Sequence, residues 1–343
     1  MEVGWEERRG DVVLVVRGLP AGAAARVYPA DVLGDDRTAP RQPMAGRWEA
    51  AGTGAVFAPR FPFLPGTEYA VLAGDGEPAV LRRPPAPGPR QATVVAVEPA
   101  LDVVPRNLLR FSVRFSHPMS EGWALRAVRL ERVADGAVVP GAFLDADPEL
   151  WDADRRRLTL LLDPARLKRG LAPHREAGYP LVEGDEVRLV VDEDFRDAGG
   201  RGLLGPAAAT FRVGPDLRGR VRPDAWTVSA PPAGTRAPLR IRFDRPLDRS
   251  LADRCLRVAD RPGAGTTAPD GRGWSFVPDR PWTPGPVPIA VDPALEDVAG
   301  NSVARVFDRD LTVASDDPLD PADAVVLTAP VAAGDSYAAR HER

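Results

Sequence analysis

An all-β chain built of tandem β-sandwiches is the reading that three features of this sequence support. One strand phrase occurs twice: Leu109-Arg110-Phe111-Ser112-Val113-Arg114-Phe115-Ser116-His117-Pro118-Met119 is echoed by Leu239-Arg240-Ile241-Arg242-Phe243-Asp244-Arg245-Pro246-Leu247. Apolar and polar residues alternate until a proline stops the run, which sets Leu109, Phe111, Val113 and Phe115 on one face and Arg110, Ser112 and Arg114 on the other. A second phrase, aromatic-x-Pro followed by a corner aromatic and Pro-Gly, runs through Phe57, Pro59, Phe63, Pro65 and Gly66 and returns at constant offset through Phe276, Pro278, Trp282, Pro284 and Gly285. Finally, 38 prolines and 32 glycines punctuate the chain. They leave no stretch longer than about ten residues with uninterrupted helical periodicity.

The elements follow in order. Val12 to Val16 reads as a first strand. The phrase at 57–66 describes a strand, a corner packed by Phe63, a Pro-Gly turn and a return strand at Tyr69 to Leu72. The proline-rich run from Arg82 to Arg90 is a stiff linker. The middle unit opens with Leu109 to Phe115, continues through Leu158 to Leu162, carries a short helix at Pro164–Arg169, and returns through Glu186 to Val191. Its segment 140–182 is longer than its counterparts. A junction falls near Gly214 to Gly219. The expected units are 8–82, 92–214 and 220–315, each the size of a small sandwich. A tail, 316–343, holds one strand-like run at Ala324 to Thr328, and disorder is expected beyond about 332.

Composition narrows function. The 343 residues carry a net charge of −4, and Lys168 is the single lysine among 45 basic residues. The basic face that phosphate contacts require is not evident, which argues against nucleic acid. Cys255 is the only cysteine, so no intrachain disulfide forms, and it reads as a small buried residue in a strand. Lack of disulfides suits the cytosol and many exported β proteins alike, which leaves the compartment open. Acids between Met1 and Arg9 stand where a signal peptide needs basic residues, and no segment approaches the length of a membrane span.

Opening and closing phrases together carry a resemblance. The middle unit opens with Phe115-Ser116-His117-Pro118-Met119 and closes with Asp197-Ala198-Gly199-Gly200 before Ala209 to Val213. The third opens with Phe243-Asp244-Arg245-Pro246-Leu247 and closes with Asp297-Val298-Ala299-Gly300-Asn301 before a final strand at Val303 to Phe307. Over about 92–313 the chain resembles bacterial Ig-like domains of the S-layer-protein type, with a weaker third copy at the N-terminus. The resemblance implies tandem Ig-like sandwiches, an exported or cell-envelope setting, a spacer, adhesion or scaffold role, and no shared catalytic residues.

Candidate sites are few. Gly200-x-Gly202-x-x-Gly205 precedes Pro206 and a strand rather than a helix, so it fails the context test for nucleotide binding. Asp192, Glu193, Asp194 and Asp197 crowd one loop, and Asp292, Glu296, Asp297 and Asn301 crowd its counterpart. Calcium favours such oxygen clusters, and it is the one candidate cofactor. The competing reading is that Asp and Asn cap tight turns with their own side chains. Trp151, in the added segment, either packs that segment down or forms a recognition surface. His117, His174 and His341 show no metal-ligand spacing, and no nucleophile elbow or zinc-protease motif occurs. The expectation is a non-enzymatic scaffold or interaction protein that presents loops, with 140–182 as the contact surface and a protein or cell-surface polymer as partner. The alternative is a carbohydrate-binding or carbohydrate-processing protein using Trp151 and neighbouring acids.

Overall fold

The structure, a computed structural model, describes residues 1–8, 10–19, 25–33, 42–52, 54–74, 76–146, 148–316 and 325–332. Of the expected tail, 316–343, residues 317–324 and 333–343 lie outside them, and with them the disorder expected beyond 332. Among the described residues the strands form six sheets, and three hydrophobic cores each lie between two of these.

The first sandwich consists of β1 (Glu2–Arg8), β2 (Asp11–Arg17), β3 (Ala25–Pro29), β4 (Gly46–Ala51), β5 (Gly54–Pro59), β6 (Glu68–Ala73) and β7 (Ala79–Arg82). The sheets run β1-β2-β5-β4 and β3-β6-β7. Lettered A to G along the chain, that order is A-B-E-D facing C-F-G, the constant-type immunoglobulin arrangement. Strand β1 lies ahead of the boundary expected at residue 8. It belongs to the sandwich because Trp5 packs edge-on against Phe63, with ring centroids 4.8 Å apart. Phe63 is buried in the corner as its phrase requires. Near the start of the F strand, the Tyr69 hydroxyl accepts a hydrogen bond from the Leu64 amide at 2.7 Å, the tyrosine-corner arrangement.

The middle sandwich consists of β8 (Val94–Glu98), β9 (Val103–Pro105), β10 (Arg110–Phe115), β11 (Val128–Arg132), β12 (Leu150–Trp151), β13 (Arg157–Leu161), β14 (Glu186–Val191) and β15 (Ala207–Gly214). Its sheets run β12-β13-β10-β8 and β11-β14-β15-β9, with β9 an added edge strand parallel to β15. Leu109, Phe111, Val113 and Phe115 all enter the core, as alternation demands. Arg110 does not face open solvent, for a reason found in the third sandwich. A short helix, Pro164–Leu167, stands where one was expected, capped by Asp163. A second, Ala172–Ala177, carries His174.

The third sandwich consists of β16 (Thr227–Ser229), β17 (Leu239–Arg242), β18 (Leu256–Val258), β19 (Gly263–Thr267), β20 (Gly273–Pro278), β21 (Gly285–Val291) and β22 (Val325–Val331). Its sheets, β16-β17-β20-β19 and β18-β21-β22, repeat the A-B-E-D and C-F-G order. Two expectations change. Residues 303–307 form no strand; the final strand is β22, which pairs with β21 along its whole length and so lies beyond the boundary expected at 315. Cys255 ends a helix, Arg249–Cys255, rather than starting a strand, and it is buried there. Trp282 fills the corner as Phe63 does, its indole donating to the Ala237 carbonyl at 2.8 Å. Architecture and strand order make the chain all-β, with tandem sandwiches of immunoglobulin-like topology.

Candidate functional site

The acidic loops follow the F strands of the middle and third sandwiches, and in both the aspartate that opens the closing phrase organises the turn. Asp197 Oδ1 accepts from the amides of Gly199 at 2.8 Å and Arg201 at 2.9 Å, while Oδ2 accepts from Arg201 Nε at 3.0 Å. Asp297 Oδ1 accepts from the amides of Ala299 and Asn301, each at 2.9 Å, and Oδ2 faces Asn301 Nδ2 at 3.0 Å and Arg245 at 3.4 Å. Burial pushes the Asp297 carboxyl up to about 6, against the opposing pull of these donors. Asp192 and Asp292 each cap a turn by accepting from the amide two residues on. Asp194 pairs with Arg196 at 3.2 Å, and Glu296 pairs with Arg110 at 2.5 Å. Among the described residues no group of three or more His, Cys, Asp or Glu side chains is placed to hold a metal ion. The acids proposed for calcium are thus distributed over turn caps and ion pairs.

These closing turns sit at the junctions between sandwiches. The turn at Gly199–Gly200 packs against Pro65–Gly66 of the first sandwich, and the Gly199 carbonyl accepts from the Ala86 amide at 2.7 Å. Arg90, in the proline-rich linker, reaches the Leu203 carbonyl at 3.3 Å and Glu193 at 3.7 Å. The linker is therefore fastened along the middle sandwich. At the second junction, the turn at Val298–Gly300 meets the start of β10. The Leu109 amide donates to the Val298 carbonyl at 3.0 Å, and the Val298 side chain enters the middle core. Arg110 reaches across to Asp248 at 2.8 Å and Glu296 at 2.5 Å, and Arg249 returns to Glu98 at 2.9 Å. Lys168 lies over the Phe307 ring and Arg169 pairs with Asp308 at 2.7 Å. At the first junction the loop after the F strand rests on the loop before the F strand of its predecessor; at the second it rests on the start of β10 and, through Phe307 and Asp308, on the loop before β14.

Trp151 occupies β12, at the edge of the sheet. Its ring lies 5.9 Å from Phe115 and 6.0 Å from Phe195, and its indole N–H donates to Glu149 at 2.8 Å. The other Glu149 oxygen accepts from the Ala124 amide at 2.8 Å. One carboxylate thus ties the added segment to the helical turn Ala124–Ala127. Beside this tie lies a groove of about 820 Å³, bounded by Leu125, Leu144 and Leu150, with Glu121 and Asp145 on its walls and β13 beneath. Trp151 does not line it.

Sequence reasoning singled out neither Arg110 as a junction residue nor the groove. Arg110 carried only the signal of a polar strand face, and its partners lie more than a hundred residues away. The groove leucines come from separate segments without shared periodicity; apolar residues at 144 and 150 in an otherwise polar loop were the one available hint.

No family model and no curated protein matches this chain. Among solved structures it is similar to domains 4–9 of the surface layer protein SbsC, at 8% identity over 96% of this chain and 43% of that one, with a TM-score of 0.18. It is also similar to the N-terminal eight Ig domains of Down Syndrome Cell Adhesion Molecule isoform 1.30.30, at 11% identity over 97% and 36% of the two chains, TM-score 0.19. For the S-layer protein rSbsC(31-844) the identity is 10%, over 93% and 61%, with a TM-score of 0.15. The chain spans less than two thirds of the length of each. The immunoglobulin-like assignment rests on the strand order of the three sandwiches and not on these superpositions.

Proposed function

We propose that the chain is a non-catalytic scaffold whose Ig-like units, of the S-layer type that its opening and closing phrases resemble, are locked in series to hold the enlarged middle segment, 140–182, toward a partner. The observation that carries this reading is the repeated junction. At both joints the closing turn of one sandwich is seated on its predecessor: at the first, Gly200 packs on Pro65 and Gly66 while Gly199 accepts from Ala86 of the linker, and at the second, Leu109 donates to Val298 beside the Arg110–Asp248–Glu296 cluster. Short joints with buried contacts transmit orientation, whereas a flexible linker would average it away. The titratable groups support the same reading: the most perturbed carboxyl, Asp297, spends its oxygens on turn amides and on Arg245. Small-angle scattering of the full chain tests the proposal. A rigid array gives one scattering profile that a single arrangement fits and that high salt leaves unchanged; a profile that only an ensemble of bent shapes fits refutes it.

A further inference from the structure

We propose that the groove beside the helical turn Ala124–Ala127 docks a short extended peptide segment in which apolar and basic side chains alternate. Three leucines from three separate segments line this groove: Leu125 is 46% exposed, Leu144 40% and Leu150 40%. Single exposed leucines are ordinary, but three around one concavity form an apolar patch that a partner's side chain would cover. Charge selects the partner's flanks. Glu121 and Asp145 share the groove and enter no hydrogen bond or ion pair with the described residues, while Glu149 is spent on Trp151 and Ala124. Arg126, the one cation among the described groove residues, is already engaged. Two uncommitted carboxylates beside a leucine pocket complement a basic, apolar segment.

Shape selects an extended ligand. The floor is β13, and β12 pairs with only Leu158 and Thr159 of it. Glu121, Gly122 and Arg126 also line a second cleft, of about 310 Å³, whose opposite wall is Gly66 and Thr67 of the first sandwich. Groove and cleft share these three residues, so a segment that follows both crosses from the middle to the first sandwich, past Arg82, which is already paired with Glu68. Successive sites of this kind suit an extended strand better than a helix. The inference rests on the locked-scaffold reading, because the cleft is bounded by both sandwiches only while the first junction holds.

Fluorescence anisotropy of the full chain with three labelled eight-residue peptides tests it: one alternating arginine and leucine, one serine and leucine, one glutamate and leucine. The arginine peptide should bind saturably, the serine peptide about tenfold more weakly, and the glutamate peptide not measurably. The pair Glu121→Lys and Asp145→Lys, and separately Leu125→Ser with Leu150→Ser, should each weaken the arginine peptide about tenfold. Glu2→Lys with Glu7→Lys, an equal change in net charge on β1, should leave it unchanged. Circular dichroism confirms that each variant is folded. Equal binding of all three peptides, no saturable binding, or groove variants that bind like the parent would each overturn the proposal, as would loss of maltohexaose binding in the groove variants of a chain that ignores the peptides. A chain that scatters as one rigid body yet ignores the peptides loses this inference alone; a chain that scatters as a bent ensemble loses the scaffold reading.

Discussion

Gly66 and Gly200 stand back to back across the first junction: a Cβ on Gly66 would lie 2.7 Å from the Gly200 carbonyl oxygen and 2.8 Å from its Cα. Both have positive φ, 75° and 76°. Two turns that each need glycine for their own backbone thereby gain a flat contact surface. A side chain at either position acts twice, through the cost of a left-handed backbone, about 1–2 kcal/mol, and through a clash with backbone that cannot rotate away.

Gly200→Ala should therefore unseat the first sandwich while leaving the three cores folded. The radius of gyration should rise, and trypsin should cut the linker at Arg90 faster than in the parent chain. An unchanged profile and cleavage rate would show that the turn contact does not set the joint.

At the second junction, Arg110→Met leaves Asp248 and Glu296 facing each other without their shared cation. Their side chains are only 12% and 23% exposed, so water relieves the repulsion incompletely. The expected loss is about 2 kcal/mol, below the full cost of breaking a deeply buried pair. A double-mutant cycle with Glu296→Gln should return a coupling of about 1 kcal/mol in urea melts. Strict additivity would mean that the pair is merely adjacent.

These two joints mark where the sequence was legible and where it was not. The strand β10 was readable because Phe111, Val113 and Phe115 repeat every second residue, and period two has few other causes. Its Arg110 was readable only as a member of the polar face, because the cover comes from Asp248 and Glu296, and local alternation carries no information about that. The closing phrases were readable as turns from their Asp and Gly residues. Their seating against a neighbouring sandwich was not, since Gly66 and Leu109 lie far from Gly200 and Val298 in the chain. The run Ala324 to Thr328 was recognisable as strand-like, but the pairing of β22 with β21 follows many residues after Asn301 that no short phrase announces. The groove escaped notice because Leu125, Leu144 and Leu150 share no period.

Asp297 gives a pH prediction whose sign can be worked out. Its folded value, about 6, lies above the 3.8 of an unperturbed aspartate. Between these values the folded chain holds a proton that the unfolded chain has released, so the contribution of this group to stability falls as pH rises from about 4 to about 6. Asp297→Asn lacks the titration. The stability advantage of the parent over this variant should shrink by about 2 kcal/mol between pH 4.5 and pH 7.5, measured by urea melts at both values. An advantage that grows with pH would mean that the carboxyl is held ionised by Arg245 and the turn amides.

The last prediction separates the two readings of Trp151. Packed on Phe115 and Phe195 and bonded to Glu149, it closes the added segment over the edge of the sheet. Trp151→Ala should cost about 3 kcal/mol by opening a gap beside those rings, and should expose loop 144–150 to proteolysis. Trp151→Phe keeps most of the packing and loses one charged hydrogen bond, for about 1–2 kcal/mol. Recognition of a sugar by this indole predicts something different: a glycan that shifts the tryptophan emission of the parent chain and not that of Trp151→Phe. The packing role predicts that the two proteins respond alike across a glycan panel while their melting temperatures differ. An emission shift confined to the parent would assign Trp151 to a ligand, because a ring packed for stability alone has no reason to report on one.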